Sequence, residues 1–597
     1  MQATSNKKVL SGNEAIAHAA YAAGVAVASA YPGTPSTEIL ENLAKFPEIY
    51  SEWAVNEKVA MEVAIGASLA GARALTTMKH VGLNVALDPL MTFAYIGANG
   101  GLVLVDADDP GMHSSQNEQD NRALAKFARI PMLEPSDSQE CYDMLRIAYD
   151  ISEEFNIPVM LRTTTRISHS SGIVDLGAFD TLRQAQDARE KRVYEKDATK
   201  TVMVPMYARR QRLVLEEKLA KLSDHSESTP MQRVERGNRL GIITSGVSYQ
   251  YAREIFSEAS ILKLGMTFPI PKNLIREFAS GVERLYVLEE GDTYLEDQIL
   301  ALGIKVEQPK TSLRIGEFTP ERIERLAAEI NDDAPAIPKQ PMGDLPARPP
   351  VLCPGCSHRG VFYALNRLKA TVMGDIGCYS LGAFAPLSAM DTIICMGASV
   401  GNAHGMQKAG QSGRVAALIG DSTFFHSGIT GLLNVVYNRG ASTTIVLDNR
   451  TTAMTGHQEN PGTGKTLMGQ ETVETRVEDV AKGVGASRVR VVDPYNLEET
   501  YNVIKEELDS PEASVVVSKR VCVLGAKCKV VQQYSVDLDT CKACGACLKL
   551  GCPAIEVLDG DGTDPKKRKT RINHVLCVGC GMCAQVCKFE AIKEEAI

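Results

Sequence analysis

The chain has 597 residues, of which 44% are hydrophobic and 23% charged, with a net charge of −9 and a pI near 5.7. That length predicts roughly four domains of 100–200 residues each. The acidic balance, with no basic stripe carrying interleaved aromatics, argues against a nucleic-acid partner.

Met1 to Lys8 leads into an amphipathic segment rather than an apolar signal core, so no secretory signal is read. Residues 8 to about 175 alternate helical and strand patterns in α/β style. Asn13–Ala23 predicts a helix, Val25–Tyr31 a strand and Pro32–Ser36 a turn, in which Thr34 or Ser36 is placed to cap the helix that carries Glu38. Glu57 and Glu62 follow five residues apart, and helical spacing cannot choose between them. Thr76–Asn84 contains His80. Val81–Val105 holds only one charge, Asp88, over a length that could cross a bilayer. Asn84, Pro89, Asn99 and Gly100-Gly101 interrupt it, so a buried helix, a glycine turn and a buried strand are expected, with no membrane span. Asp106–Arg122 is polar and turn-rich, a loop of the length that is usually functional or mobile.

Residues 176–236 are charge-rich, helical in pattern and free of glycine from Ala178 to Glu235, and predict a solvated connector. The α/β pattern returns over 237–331, with Leu240–Gly246 reading as a strand and then a glycine turn, and Leu285–Glu290 as a later strand. Asp332–Pro350 holds six prolines in 19 residues and reads as a stiff linker.

Residues 351–530 hold a series of motifs at strand ends. Cys353-Pro354-Gly355-Cys356-Ser357-His358-Arg359 is a Cys-x-x-Cys turn, but no second pair lies nearby in sequence to complete a tetrahedral zinc site. A loop beside a cofactor, with Cys356 and His358 facing it, fits better. Gly374–Tyr379 and Cys395–Gly401 are glycine-rich strand ends; backbone N–H groups at Gly377, Cys378, Gly397, Ala398 and Ser399 would suit an anionic diphosphate.

The central stretch is Val415–Met454. Val415–Ile419 and Thr444–Leu447 read as buried parallel strands joined by a helix over Ser427–Tyr437, which is a βαβ unit. Gly420-Asp421-Ser422-Thr423 and Asp448-Asn449-Arg450-Thr451-Thr452-Ala453-Met454 then fall at the carboxyl ends of their strands, where open α/β sheets bind ligands. Asp421, Asn449 and Thr451 offer hard oxygen ligands of the kind Mg²⁺ takes alongside phosphate oxygens.

Eight of the fifteen cysteines lie in the last 57 residues, which points to a reducing, cytoplasmic compartment and to thiolate ligands. Cys541-x₂-Cys544-x₂-Cys547-x₄-Cys552-Pro553 repeats after 36 residues as Cys577-x₂-Cys580-x₂-Cys583-x₃-Cys587. In two-cluster ferredoxins three close thiolates hold one cluster and the fourth of each run crosses to the other. By that rule Cys541, Cys544, Cys547 and Cys587 bind one [4Fe–4S] cluster, and Cys577, Cys580, Cys583 and Cys552 the second. The extra residue before Cys552, and Lys588 where proline is usual, depart from the pattern.

Gly-Asp-Ser followed by Asp-Asn-x-Thr resembles the metal and diphosphate motif of thiamine-diphosphate enzymes. Ser422 and Asp448, which replace the usual Gly and Asn, resemble the 2-oxoacid:ferredoxin oxidoreductases, and the surrounding words resemble the large subunits of their indolepyruvate type. The resemblance implies a pyrimidine-binding domain (1–175), a transketolase-C-like α/β domain (237–331), a diphosphate-binding domain (351–530) and a ferredoxin-like α+β domain (531–597). It implies Glu57 as the buried acid against the aminopyrimidine, His80 as a polarising group and Thr34 facing the substrate. Implied cofactors are thiamine diphosphate, Mg²⁺ and two [4Fe–4S] clusters, with coenzyme A as co-substrate. The implied reaction is oxidative decarboxylation of an arylpyruvate to its acyl-CoA, with ferredoxin as acceptor and a smaller β subunit as partner in an α₂β₂ assembly. A non-oxidative decarboxylase, a purely electron-transferring subunit, or an oxidoreductase for another 2-oxoacid (2-oxoglutarate, branched-chain or pyruvate) are the alternatives.

Overall fold

The structure, a computed structural model, describes residues 6–177, 194, 196–309, 315–331, 349–525, 532–558 and 569–596. The linker expected at 332–350 falls almost wholly outside the described residues, as does 178–193 of the connector. The chain divides into two compact units, Met1–Met342 and Gly343–Ile597.

The first unit is built on a seven-stranded sheet ordered Met266–Phe268, Met132–Leu133, Val159–Thr164, Leu102–Asp108, Ala74–Lys79, Val27–Ala30 and Tyr50–Trp53. All pairs are parallel except the first, where Met266–Phe268 runs against Met132–Leu133. Leu102–Asp108 and Val159–Thr164 are buried along their whole length, as central parallel strands must be when helices cover both faces. Gly12–Ala22 starts at a capping box in which the Ser11 hydroxyl accepts from Glu14 N and the Glu14 carboxylate accepts from Ser11 N. The expected buried helix, glycine turn and strand are His80–Ile96, the turn through Gly97 and Gly100, and Leu102–Asp108. No helix among the described residues is long and apolar enough to cross a membrane.

A second, four-stranded sheet orders Arg284–Leu288, Leu240–Thr244, Ser260–Lys263 and Arg233–Glu235. The expected boundary at 236/237 is not a sheet boundary. Met266–Phe268, from within 237–331, supplies the edge strand of the first sheet, and a short antiparallel edge strand leaves no periodic signal of where it will pair. In the connector, the 24-residue helix Pro205–Ser228 buries only Leu215, Leu222 and Ser226, in keeping with a charged outer helix.

The second unit centres on a five-stranded, all-parallel sheet ordered Thr371–Met373, Val415–Gly420, Thr443–Asp448, Ser514–Lys519 and Arg488–Val492. Side-chain alternation splits its apolar residues between two cores. Ala416, Leu418, Ile445, Leu447 and Val516 face one, while Ala417, Ile419, Val446, Val515 and Val517 face the other. The ferredoxin-like segment adds two antiparallel pairs, Gln532–Val536 with Ile592–Ala596 and Ile555–Val557 with Thr570–Ile572.

Candidate functional site

In the second unit the register does the positioning. Gly420 pairs with Leu447 across the two parallel strands, so Asp421 and Asp448 leave the sheet side by side. The helical run after the first strand begins at Asp421, six residues earlier than the expected Ser427, and passes through a π-helical turn at Phe424–Gly428 before Ile429–Tyr437. Such turns interrupt the regular ladder and occur often at functional sites. Gly420 is required because a Cβ there would stand 2.7 Å from the ring of Tyr379. The two halves of the motif are tied directly, since the Thr452 hydroxyl donates to Ser422 Oγ at 2.9 Å.

Asp421, Asp448 and Asn449 are all buried. Burial, then the charge of Asp448, pushes the Asp421 carboxyl up to about 7. Its Oδ1 accepts from Ser422 N at 2.9 Å, whereas Oδ2 is buried with no hydrogen-bond partner among the described residues. Asp448 is also pushed up, by burial, with Lys519 at 3.8 Å opposing. Asn449 Oδ1 accepts from Thr451 N at 3.3 Å and keeps a lone pair free. An orphaned carboxylate oxygen beside a second acid and a carboxamide is a donor set that a hard divalent cation would satisfy, so these residues fit Mg²⁺. Thr423 donates to Ile376 O at 3.2 Å, Ala453 is half-buried, and Met454 is exposed.

The amides of Gly397 and Ser399, expected to meet a diphosphate, donate instead to the buried Asp375 carboxylate at 3.0 and 3.2 Å, and Ala398 N donates to Cys395 O. Asp375 thus caps the helix Ala398–Lys408 from another strand end. Gly377 makes room for the Tyr379 ring. His358 is buried and pushed down to about 4 by burial, then by the charge of Arg359.

The Cys353–Cys356 turn is less isolated than its sequence suggests. Burial pushes the Cys356 thiol up to about 12, with Cys353 and Cys378 adding to it. Cys378 is pushed up to about 11 by burial, then by Cys522 and Cys353. Cys378 therefore lies near the pair, and Cys522 near Cys378, because separate strand ends deliver them to one edge. Gly355 presses the turn onto the ferredoxin-like segment, since a Cβ there would lie 2.0 Å from Val578 Cγ2.

The eight C-terminal thiols sort into two cavities. One is lined by Cys541, Cys544, Cys547 and Cys587. The other is lined by Cys552, Cys577, Cys580 and Cys583. The crossover of the fourth cysteine of each run is thus present in the fold. Among the described residues no group of three or more His, Cys, Asp or Glu side chains converges on a single-ion position. Cavities with thiols on their walls suit a cluster better than a lone zinc ion. The walls of the second cavity also carry Arg359 and Tyr534 among apolar residues, and burial pushes Cys580 up to about 11.

In the first unit Thr34, Glu57 and His80 all lie at the carboxyl edge of the seven-stranded sheet, each just after a strand. Glu57 is buried as the first residue of the helix Glu57–Leu69, behind the N-cap Asn56, whose Oδ1 accepts from Val59 N at 2.9 Å. Glu62 is exposed and paired with Lys58. His80 is fully buried and its Nε2 lies 3.2 Å from Asn117 O, which makes Nε2 the protonated nitrogen. Burial lowers its pKa, and Nδ1 has no partner among the described residues. Thr34 O accepts from Ser114 Oγ at 3.2 Å. The helix Thr37–Leu43 does not receive the expected side-chain cap, because the Ser36 hydroxyl donates to Gly33 O at 2.9 Å instead. The loop after Asp108 is stapled down, with Asp109 accepting from Ser114 N and Thr165 Oγ1, both at 2.8 Å. A buried ionic network behind it was not foreseen: Arg162 meets Asp108 at 2.7 Å and also Glu134, and Arg122 meets Glu289 at 2.7 Å and also Asp120.

Residues 18–232 match the family "Pyruvate flavodoxin/ferredoxin oxidoreductase, thiamine diP-bdg". Residues 375–518 match "Thiamine pyrophosphate enzyme, C-terminal TPP binding domain", and 570–593 match "4Fe-4S binding domain". The chain is 42% identical over 634 residues to indolepyruvate oxidoreductase subunit IorA of Pyrococcus abyssi, covering 98% of this chain and 96% of that protein. It is 41% identical over 625 residues to the same subunit of Archaeoglobus fulgidus, covering 99% and 98%. Ketoisovalerate oxidoreductase subunit VorA of Pyrococcus furiosus is 33% identical over 178 residues, which is 28% of this chain and 45% of that one. With thiamine-binding regions in both units, a 4Fe–4S region at the end and full-length relatives above 40% identity, the chain belongs to the indolepyruvate oxidoreductase subunit IorA family of thiamine-diphosphate-dependent 2-oxoacid:ferredoxin oxidoreductases.

Proposed function

We propose that this chain is the catalytic large subunit of an enzyme that converts arylpyruvates and coenzyme A into arylacetyl-CoA and CO₂ while reducing ferredoxin, working with a smaller companion subunit in an α₂β₂ assembly. The observation that carries the reading is the end-to-end similarity to indolepyruvate oxidoreductase subunits, beside a ketoisovalerate relative that aligns with little more than a quarter of the chain. The ferredoxin-like segment argues against a decarboxylase that merely releases aldehyde, which has no use for eight cluster thiols.

Thiamine diphosphate supplies the nucleophilic carbon and electron sink for decarboxylation, and two iron–sulfur clusters supply one-electron acceptance. Asp421, Asn449 and Thr451 hold Mg²⁺, and the strand-end residues Gly420, Ser422, Thr423 and Thr452 shape the diphosphate cradle around it. Ala453 and Met454 continue that loop, and Cys356, His358, Gly377 and Cys378 stand beside it. Glu57, buried at the start of its helix, is the carboxyl that faces the aminopyrimidine. His80 is neutral, with Nε2–H fixed on Asn117 O, and so presents an unprotonated Nδ1 as a polar group beside Thr34 for the oxoacid.

Anaerobically purified protein with its companion subunit is expected to reduce ferredoxin or a viologen dye when given indolepyruvate or phenylpyruvate together with coenzyme A. Aldehyde release without coenzyme A as the sole activity, or turnover of 2-oxoglutarate, pyruvate and branched-chain oxoacids in place of arylpyruvates, would overturn the proposal.

A further inference from the structure

The second thiol cavity contains one group that no metal ligation explains. Arg359 lines it together with Cys552, Cys577, Cys580 and Cys583, and is only 1% exposed. Its N–H groups donate to backbone carbonyls alone: Nε to Cys353 O at 3.1 Å, Nη1 to Leu550 O at 2.9 Å, and Nη2 to Cys353 O at 3.1 Å and to Leu352 O. Among the described residues no carboxylate pairs with it. A buried guanidinium without an anion is costly, and breaking such charges from their partners is among the more destabilising changes a core can suffer. The negative groups placed to compensate it are the sulfurs of Cys552 and Cys580 in the cavity, as ligands of the cluster. The first cavity has no equivalent. The cation on its wall, Lys542, is exposed, so water and salt screen it.

We infer that Arg359 is a positioning residue that raises the reduction potential of the cluster held by Cys552, Cys577, Cys580 and Cys583 above that of its neighbour. This rests on the proposed reading that the eight thiols hold two clusters. Reduction adds one electron and one unit of negative charge to a cluster, with no proton required. A fixed, desolvated cation at the cavity wall stabilises that added charge more than a screened surface lysine does. The electron is thereby drawn first to the cluster against the Cys353–Cys356 turn of the diphosphate-binding domain.

The test is an EPR-monitored redox titration with dithionite on the full chain, reconstituted with iron and sulfide under argon. Cys580→Ala, which should lose one signal and iron relative to the unaltered chain, identifies the second cluster. In the unaltered protein that signal should appear at the higher potential of the pair. Arg359→Gln should lower it by at least tenfold in the one-electron equilibrium, about 59 mV, and leave the other signal in place. Arg359→Lys, which keeps the charge but not the fork of hydrogen bonds, should recover most of the shift. A second-cluster signal at the lower potential in the unaltered protein overturns the inference, as does an Arg359→Gln potential that does not move. If Arg359→Gln cannot retain the cluster, the order in the unaltered protein decides. A chain with ordered potentials that fails to oxidise arylpyruvates would refute the proposed function and leave this inference standing.

Discussion

Replacing Asp421 by Asn is expected to cost the chain its thiamine diphosphate while making the cofactor-free protein more resistant to heat. The carboxylate is buried, one of its oxygens has no partner among the described residues, and Asp448 leaves the neighbouring strand beside it. Burial and that second charge push Asp421 up to about 7 from an ordinary value of 3.8. A raised carboxyl pKa means that the fold disfavours the charged form. The penalty is absent near pH 4, grows as pH rises through the interval, and is complete above pH 7. Three units correspond to about 4 kcal/mol as an order of magnitude. Asn removes the charge and keeps the shape, so its gain in melting temperature should be small at pH 4–5 and largest at pH 8. Mg²⁺ held as proposed would relieve the same penalty in the unaltered chain. Its affinity should therefore fall about tenfold per unit as pH drops below 7, because the ion must displace one proton. Calorimetry of cofactor-free protein at two pH values, with thiamine and iron assays on the purified variant, checks both halves. Retained thiamine, or a thermal gain equal at both pH values, would show that Asp421 is not the strained metal ligand. Iron content should not change, since the cluster thiols lie in a different part of the unit.

The parts of this molecule that could be read in advance are those whose geometry is local in the chain. Thiol runs at two- and three-residue spacing encode a cluster loop directly, and the crossover of Cys552 and Cys587 follows from the repeat. Gly420-Asp421 and Asp448-Asn449 were legible because consecutive parallel strands put their carboxyl ends side by side. What escaped depends on register and on remote pairing. Asp375 reaches helix amides 22 and 24 residues away, a contact fixed by how far each strand runs before it turns. Arg122 reaches Glu289 across 167 residues, and Cys378 comes near the Cys353–Cys356 turn from another strand end, with Cys522 near Cys378 in turn. Arg359 follows a Cys-x-x-Cys turn, and nothing in its spacing shows that its charge would be buried without a carboxylate. The choice between Glu57 and Glu62 belongs to the same class. Five residues on a helix separate the faces, but only the packing of a second helix determines which face is inside.

That second helix supplies the other large effect. Glu57→Gln is expected to reduce kcat by a factor on the order of 10²–10⁴, the range for loss of a positioned proton-transfer group, with thiamine and iron retained. A stricter test leaves the carboxylate in place and moves it. Gly82, on the helix His80–Ile96, lies so close that a Cβ there would stand 2.7 Å from Glu57 Cγ and 2.8 Å from Oε1. Such contacts are not found in folded proteins, so Gly82→Ala must turn the Glu57 side chain or part the helices. Misplacement by about 1 Å can cost a hundredfold in rate, so Gly82→Ala should lose at least tenfold in kcat with little change in KM for the oxoacid. Gly66→Ala is the control on the helix Glu57–Leu69 itself. A Cβ there meets nothing within 4 Å, and exchanging a helical glycine for alanine should stabilise by up to about 1 kcal/mol without touching the rate. If Gly82→Ala turns over as fast as the unaltered enzyme, then the position of Glu57 is not what the chemistry depends on, and the exposed Glu62 is too well solvated to replace it. The buried acid would then have to be sought elsewhere along the same sheet edge, where Asp106, pushed well up by burial and then by the charge of Asp108, is the next carboxyl placed to hold a proton.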